Sequence, residues 1–192
     1  FERASPGRTF APSMPTTSNA DGFYGRLNLD LTAYSAFLPT VQFRIRHFEP
    51  SWDWFISIDN VFVDDVDLES AGSNSILAVE DFSAGIPAAW TSQGLNTGND
   101  TWNTNDPCTR SIVAAAAVFP YQNGRAINRF DGFFAILDSD CNPDPSENEY
   151  LLTPTLDCSM QTEVFLGYKS EYMHYTAANT QVLVSIDGGA TF

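Results

Sequence analysis

The sequence predicts an all-β fold, a sandwich or barrel built from many short strands. Three observations lead to it. Apolar and polar residues alternate with the two-residue period of a half-buried strand. Clusters of Gly, Pro, Asn and Asp fall between the apolar runs, where turns are needed. Only Ser111–Phe119, with four consecutive alanines, has helical character, and it is too short to set the class.

The elements follow in chain order. Val41-Gln42-Phe43-Arg44-Ile45-Arg46-His47-Phe48 alternates as a half-buried strand, and its polar face is expected to carry Arg44, Arg46 and, beside them, His47. Trp54–Val63 is a long β-branched and aromatic run and predicts a second strand. Phe133–Leu137, Val164–Tyr168 and Gln181–Ile186 continue the series. Turns are expected at Asn19–Gly22, Glu49–Ser51, Gln93–Asp100, Gln122–Gly124 and Asp187–Gly189. A faint internal echo joins two stretches. Val41–Asn60 and Val164–Gly188 each read as strand, polar hairpin, strand, ending Ser57-Ile58-Asp59-Asn60 and Ser185-Ile186-Asp187-Gly188. The echo fits the two halves of a jelly roll, or two similar hairpins.

Composition narrows the function. The 192 residues carry 24 acidic and 9 Lys or Arg side chains, a formal charge of −15. Such a polyanion repels phosphate backbones, which sets the chain against nucleic acid as a partner. A hydrophobic share of 43% with only 17% charged residues can bury a core, so disorder is excluded. No apolar run is long enough for a membrane-spanning helix. The chain opens on Phe1 without an initiator Met or a signal-like segment, which predicts a mature product or an excised segment. Cys108, Cys141 and Cys158 show no CxxC spacing, so zinc-ribbon and thioredoxin readings are weak. They fit one disulfide and a leftover thiol, with Cys141–Cys158 favoured because the two flank a hairpin, or three buried thiols.

Several motifs occur in a telling order. An acidic-aromatic opening leads to Pro-x-x-Trp, Val79-Glu80-Asp81-Phe82-Ser83-Ala84-Gly85-Ile86-Pro87-Ala88-Ala89-Trp90. A second tryptophan follows at Thr101-Trp102, then an aromatic strand into an acidic loop, Gly132–Asp140. Leu152-Thr153-Pro154-Thr155-Leu156-Asp157 comes next, and Val184–Phe192 closes the series. This order resembles the bacterial jelly-roll modules called cleaved-adhesin or choice-of-anchor J domains, relatives of the MAM domain. Such modules end in a strand like Trp-x-x-x-Ile-Asp-Asn-Val. Here that strand, Trp54–Val61, lies near the other end of the chain, after Leu27–Leu31 and Val41–Phe48.

The resemblance thus divides the chain into residues 1–68, similar to a C-terminal half module, an acidic linker at 69–78, and residues 79–192, similar to an N-terminal half. The halves sum to about one module in swapped order. A circular permutant, one period of a tandem array, and a strand-exchanged subunit of a fibre all fit that order. An arbitrary fragment is the plain alternative, and the near-complete length favours an array or fibre. In the last two arrangements, unpaired strand edges would seek neighbouring copies.

Two acidic regions could hold a cation. From Asp138 to Glu149, oxygen-bearing side chains occupy positions 1, 3, 5, 7, 9 and 12, and Asp138, Asp140, Asn142, Asp144 and Glu149 are the expected ligands. Pro143 replaces the glycine that an EF-hand requires, and strands flank the loop, so this is not an EF-hand. Crowded carboxylates without a soft ligand suit Ca²⁺, and a solvated acidic turn is the plain alternative. The second region is implied by the resemblance. Jelly-roll relatives hold a structural Ca²⁺ between an opening acid and the Asp of the last strand, here Glu80, Asp81 and Asp59. The adjoining Asp64–Glu69 run reads mainly as linker.

Ser185-Ile186-Asp187-Gly188-Gly189-Ala190-Thr191-Phe192 matches an Asp-box, whose aspartate caps a tight turn and is structural. His47 and His174 lack a nearby nucleophile motif, and no Gly-x-Ser-x-Gly, His-Glu-x-x-His or phosphate loop occurs. No catalytic set is therefore expected. Tyr168, Tyr172, His174 and Tyr175 cluster around one hairpin, and Trp52 and Trp54 straddle a turn. Exposed, these rings would stack on sugars; packed, they would belong to a core or a subunit contact. The sequence thus predicts a secreted, cell-surface or extracellular module, structural or adhesive, stabilised by calcium and meeting copies of itself. A carbohydrate-binding module of a secreted hydrolase is the alternative, and a glycoside hydrolase the third reading.

Overall fold

The computed structural model describes residues 9–10, 23–49, 55–65, 77–94, 102–104, 132–138, 146–173 and 179–192. They form, in chain order, β1 (Thr9–Phe10), β2 (Phe23–Asp30), the one-turn helix α1 (Thr32–Ser35), β3 (Gln42–Glu49), β4 (Phe55–Asp64), β5 (Ala78–Glu80), β6 (Thr91–Gly94), β7 (Ala135–Asp138), β8 (Glu147–Leu152), β9 (Phe165–Met173) and β10 (Asn179–Ser185). The segment Ser111–Phe119 lies outside the described residues.

The strands build two antiparallel sheets. One has the order β1-β10-β3-β8-β6, the other β2-β9-β4-β5, with β7 on the same side of β4 as β5. The fold is the all-β sandwich that the alternation predicts. Phe43 and Ile45 of β3, Leu151 of β8, and Val182 and Val184 of β10 supply the inner face of the first sheet. Ile56 and Ile58 of β4, Leu137 of β7, and Leu166 and Tyr168 of β9 supply the facing layer. At the sheet edge β2 alternates cleanly. Leu27 and Leu29 are half-buried against that core, and Arg26, Asn28 and Asp30 are exposed.

Strand β4 does not alternate in the sequence, and a bulge explains why. Its pairing with β9 shifts register between Asp59 and Phe62, and Asn60 takes a left-handed φ of 49°. Asparagine tolerates that region better than most residues. The extra residue lets the inward series pass from Ile58 to Val61 and Val63, so a ten-residue strand serves one core across its kink. A second motif closes locally. The Trp90 N–H donates to the Pro87 carbonyl at 2.9 Å and brings Trp90 edge-on to Phe82, with centroids 5.7 Å apart.

Strands from residues 1–68 alternate in space with strands from 79–192. β3 lies between β8 and β10, and β4 pairs β9, β7 and β5. The strand that leads to Phe192 therefore pairs inside the chain, Val182 opposite Ile45. Ala78, placed in the linker by the sequence, already belongs to β5, and Leu77 N–H donates to the Val63 carbonyl at 2.9 Å.

Two expectations are corrected. His47 is not on the polar face with Arg44 and Arg46. It shares the parity of Phe43 and Ile45, and it is buried. Cys158 is a free thiol packed in the core, not half of a Cys141–Cys158 disulfide. Burial pushes that thiol up to about 11, with the Asp157 charge adding to the rise. Cys108 and Cys141 lie outside the described residues.

Tyr168 supplies a stability prediction. It is wholly buried, and its hydroxyl has no hydrogen-bond partner among the described residues. Burial pushes the phenol well above its ordinary value. Tyr168→Phe removes a desolvated, unsatisfied hydroxyl and keeps the ring. It is expected to raise stability by about 1 kcal/mol in urea unfolding; a loss of that size would reveal a partner for the hydroxyl.

Candidate metal centre

The apolar inner face of the first sheet changes character at one end. Along β3 the inward positions run Phe43, Ile45, His47, Glu49. The register with β8 sets Glu149 opposite His47 and Glu147 opposite Glu49. Directly opposed residues share a face, so one imidazole and three carboxylates gather at this end. None of the four is more than 1% exposed.

One ligand atom from each of His47, Glu49 and Glu147 lies within 4.8 Å of the others. His47 Nε2 stands 3.8 Å from Glu49 Oε2, too long for a hydrogen bond and inside ion-pair range. Both oxygens of Glu49 are buried without a hydrogen-bond partner. The other ring nitrogen, Nδ1, lies 3.3 Å from Thr180 Oγ1 on β10. Tyr172 of the facing sheet meets the imidazole edge-on, with centroids 5.7 Å apart. Sheet hydrogen bonding fixes the backbone on both sides, so the cluster sits on rigid strands.

A carboxylate removed from water without partners costs several kcal/mol unless a charge or proton compensates. A divalent cation among His47, Glu49 and Glu147 would offset both glutamates and use the imidazole as a nitrogen ligand. Among the described residues this is the one His/Cys/Asp/Glu set that converges in this way.

The sequence-predicted ligands fall differently. Glu149 belongs to β8 and not to a loop; it is buried opposite His47 in the register but is not one of the three converging residues. Asp138 ends β7, is buried, and pairs with Phe55. Its neighbour Leu137 faces the core, so strand alternation puts Asp138 on the other face of its sheet. Asp140, Asn142 and Asp144 lie outside the described residues.

The second predicted set sits near the β4 bulge. Val61 pairs with Glu80, and Asp59 is close enough to Asp81 to feel its charge. Burial holds the Asp59 carboxyl above the usual carboxylate range, against the Asn60 N–H and Lys169, which favour the ion. Each of the three carboxylates serves a local N–H. Asp59 Oδ1 accepts from Asn60 at 2.6 Å, Glu80 Oε1 from Phe82 at 2.6 Å, and Asp81 Oδ1 from Ser83 at 2.9 Å. Hydrogen bonds from Ser83 hold Asp81 below the usual range. The structure does not draw Asp59, Glu80 and Asp81 into a set like that of His47, Glu49 and Glu147.

The Asp-box is a structural turn. Asp187 Oδ1 accepts from Ser185 Oγ at 2.7 Å and from the Thr191 N–H at 2.9 Å, and Oδ2 accepts from Thr191 Oγ1 at 2.6 Å. Gly188 and Gly189 take φ values of 71° and 91°, which the turn requires. Hydrogen bonds from Thr191 and Ser185 depress the Asp187 carboxyl to about 2. An acid depressed in the fold stabilises it above the unfolded value of about 4. That contribution is lost as pH falls from about 4 towards 2. Melting curves of the chain and of Asp187→Asn are expected to differ at pH 6 and to converge at pH 2; a constant difference would refute the assignment.

Of the rings considered for sugar stacking, Tyr168 and Tyr172 are buried and form no exposed strip. Trp52, Trp54, His174 and Tyr175 lie outside the described residues. No helix among the described residues is long and apolar enough to cross a membrane. Comparison with protein-family models, curated proteins and solved structures finds no match, so function is argued from the geometry.

Proposed function

We propose that this chain is a non-catalytic structural or adhesive module, one unit of a surface array or extracellular filament, whose sandwich is pinned by a divalent cation. The observation that carries the reading is the buried convergence of His47, Glu49 and Glu147. An ordinary core would fill those positions with apolar side chains. A cation makes the charged set favourable and ties β3 to β8 at the end where apolar packing gives out.

Other features support the wider role. The interleaving of strands from 1–68 and 79–192 suits two halves of one jelly-roll module in swapped order. Strand β2 ends the described order of its sheet, and such an edge can accept a strand from a neighbouring copy. The net charge of −15 keeps free copies apart, so divalent cations would also promote their approach.

The test is thermal melting with sedimentation of the purified chain before and after chelation. Removing divalent metal is expected to lower the melting temperature by about 5 °C or more, with recovery on adding metal back. Sedimentation is expected to show self-association that grows with concentration. An unchanged melting curve removes the cation, and a strict monomer at all concentrations removes the array.

A further inference from the structure

We infer that the His47–Glu49–Glu147 centre takes a first-row transition cation of the zinc class and not calcium. This rests on the cation reading above and specifies its occupant. The donor set decides it. Ca²⁺ takes six to eight oxygen ligands and has little use for imidazole, whereas Zn²⁺ and its neighbours bind imidazole and carboxylate together.

The imidazole is set up for that role. Nδ1 lies 3.3 Å from Thr180 Oγ1, and in the tautomer that donates there the lone pair falls on Nε2, the atom 3.8 Å from Glu49 Oε2. Metal-binding histidines use this arrangement: the distal N–H is held by an acceptor and fixes both tautomer and ring angle. Tyr172 packs against the ring from the facing sheet and restricts its rotation further.

Glu49 is the second, independent pointer. Its carboxylate is fully buried, and neither oxygen has a hydrogen-bond partner. The three ligand atoms fall within 4.8 Å of one another, close enough to share one ion. Three protein ligands are a low count for Ca²⁺ and an ordinary one for zinc-class ions, which complete the shell with water or a further carboxylate. Glu149, opposite His47, is the nearest such carboxylate in the register.

The experiment uses the full chain, stripped of metal and melted without metal, with Ca²⁺ and with Zn²⁺. Zinc at about a hundred times its Kd is expected to raise the melting temperature by about 5–10 °C, and calcium at the same concentration to leave it unchanged. Glu49→Gln and His47→Gln keep the side-chain volume and are expected to abolish the zinc shift. Equilibrium dialysis reads about one Zn²⁺ per chain, and Co²⁺ in its place gives visible absorption bands that disappear in His47→Gln. Both measurements read binding directly and need a variant only to be folded, as its own metal-free melting curve reports, and not to match the parent in stability. A calcium shift without a zinc shift overturns the zinc assignment and leaves the cation reading standing. No shift with either ion overturns both. A zinc shift that survives in both variants places the ion elsewhere and overturns this centre.

Discussion

Gly167→Val is expected to destabilise the protein by about 3 kcal/mol, although valine favours strands and glycine does not. The cause is Phe62. After the β4 bulge, Phe62 pairs in register with Gly167, and its ring lies across the glycine. A Cβ on residue 167 would overlap ring atoms of Phe62. The ring has little freedom to yield: it is buried, and the Arg26 guanidinium sits 5.8 Å from its centroid. Phe62→Ala alone is expected to cost about 3 kcal/mol through the cavity it leaves. The double variant should cost clearly less than the two losses summed, because valine then fills the space of the ring. Strict additivity in guanidinium unfolding would mean that the overlap is relieved in some other way.

Glu49→Leu, in the presence of chelator, is expected to stabilise the chain by about 1–3 kcal/mol. It replaces a buried, unbonded carboxylate by an apolar side chain of similar length. With metal present, the sign is expected to reverse, since the variant forfeits the stabilisation that binding gives. Urea unfolding under both conditions reads the two signs directly. A residue retained for folding alone would not show this crossover. Destabilisation in both conditions would show that Glu49 is satisfied within the chain and would count against the metal centre.

The fold class was legible because strand period and turn chemistry are local signals. β3, β9 and β10 lie where the alternation and the β-branched runs put them, and the Asp187 turn adopts the hydrogen bonds its motif implies. The centre was less legible for a different reason. A loop-type oxygen spacing points to Glu149 and passes over Glu147, the β8 carboxylate that converges with His47 and Glu49. His47 and Glu49 meet it by pairing with a segment about a hundred residues away. One local signal did exist. His47 and Glu49 have the same parity as Phe43 and Ile45, so strict alternation alone places both inward. Composition points the other way, since a histidine that follows Arg44 and Arg46 looks solvent-facing. Parity is the stronger guide, because a one-residue slip would turn the whole strand over. The β4 bulge defeats the same logic: Ile58 and Val61 face one way only because Asn60 breaks the period.

The interleaving of early and late strands also sets a clock. β4 is synthesised about 110 residues before β9, the partner that covers most of its length. At ribosomal speed that interval is on the order of 10 s. Throughout it, a strand of ten mostly apolar residues must stay clear of its counterparts on neighbouring nascent chains. β3 waits longer still for β10. A chain arranged in this way depends during its birth on whatever shields unpaired strands in the cell. Its yield should respond to translation rate and chaperone supply more steeply than its final stability would suggest.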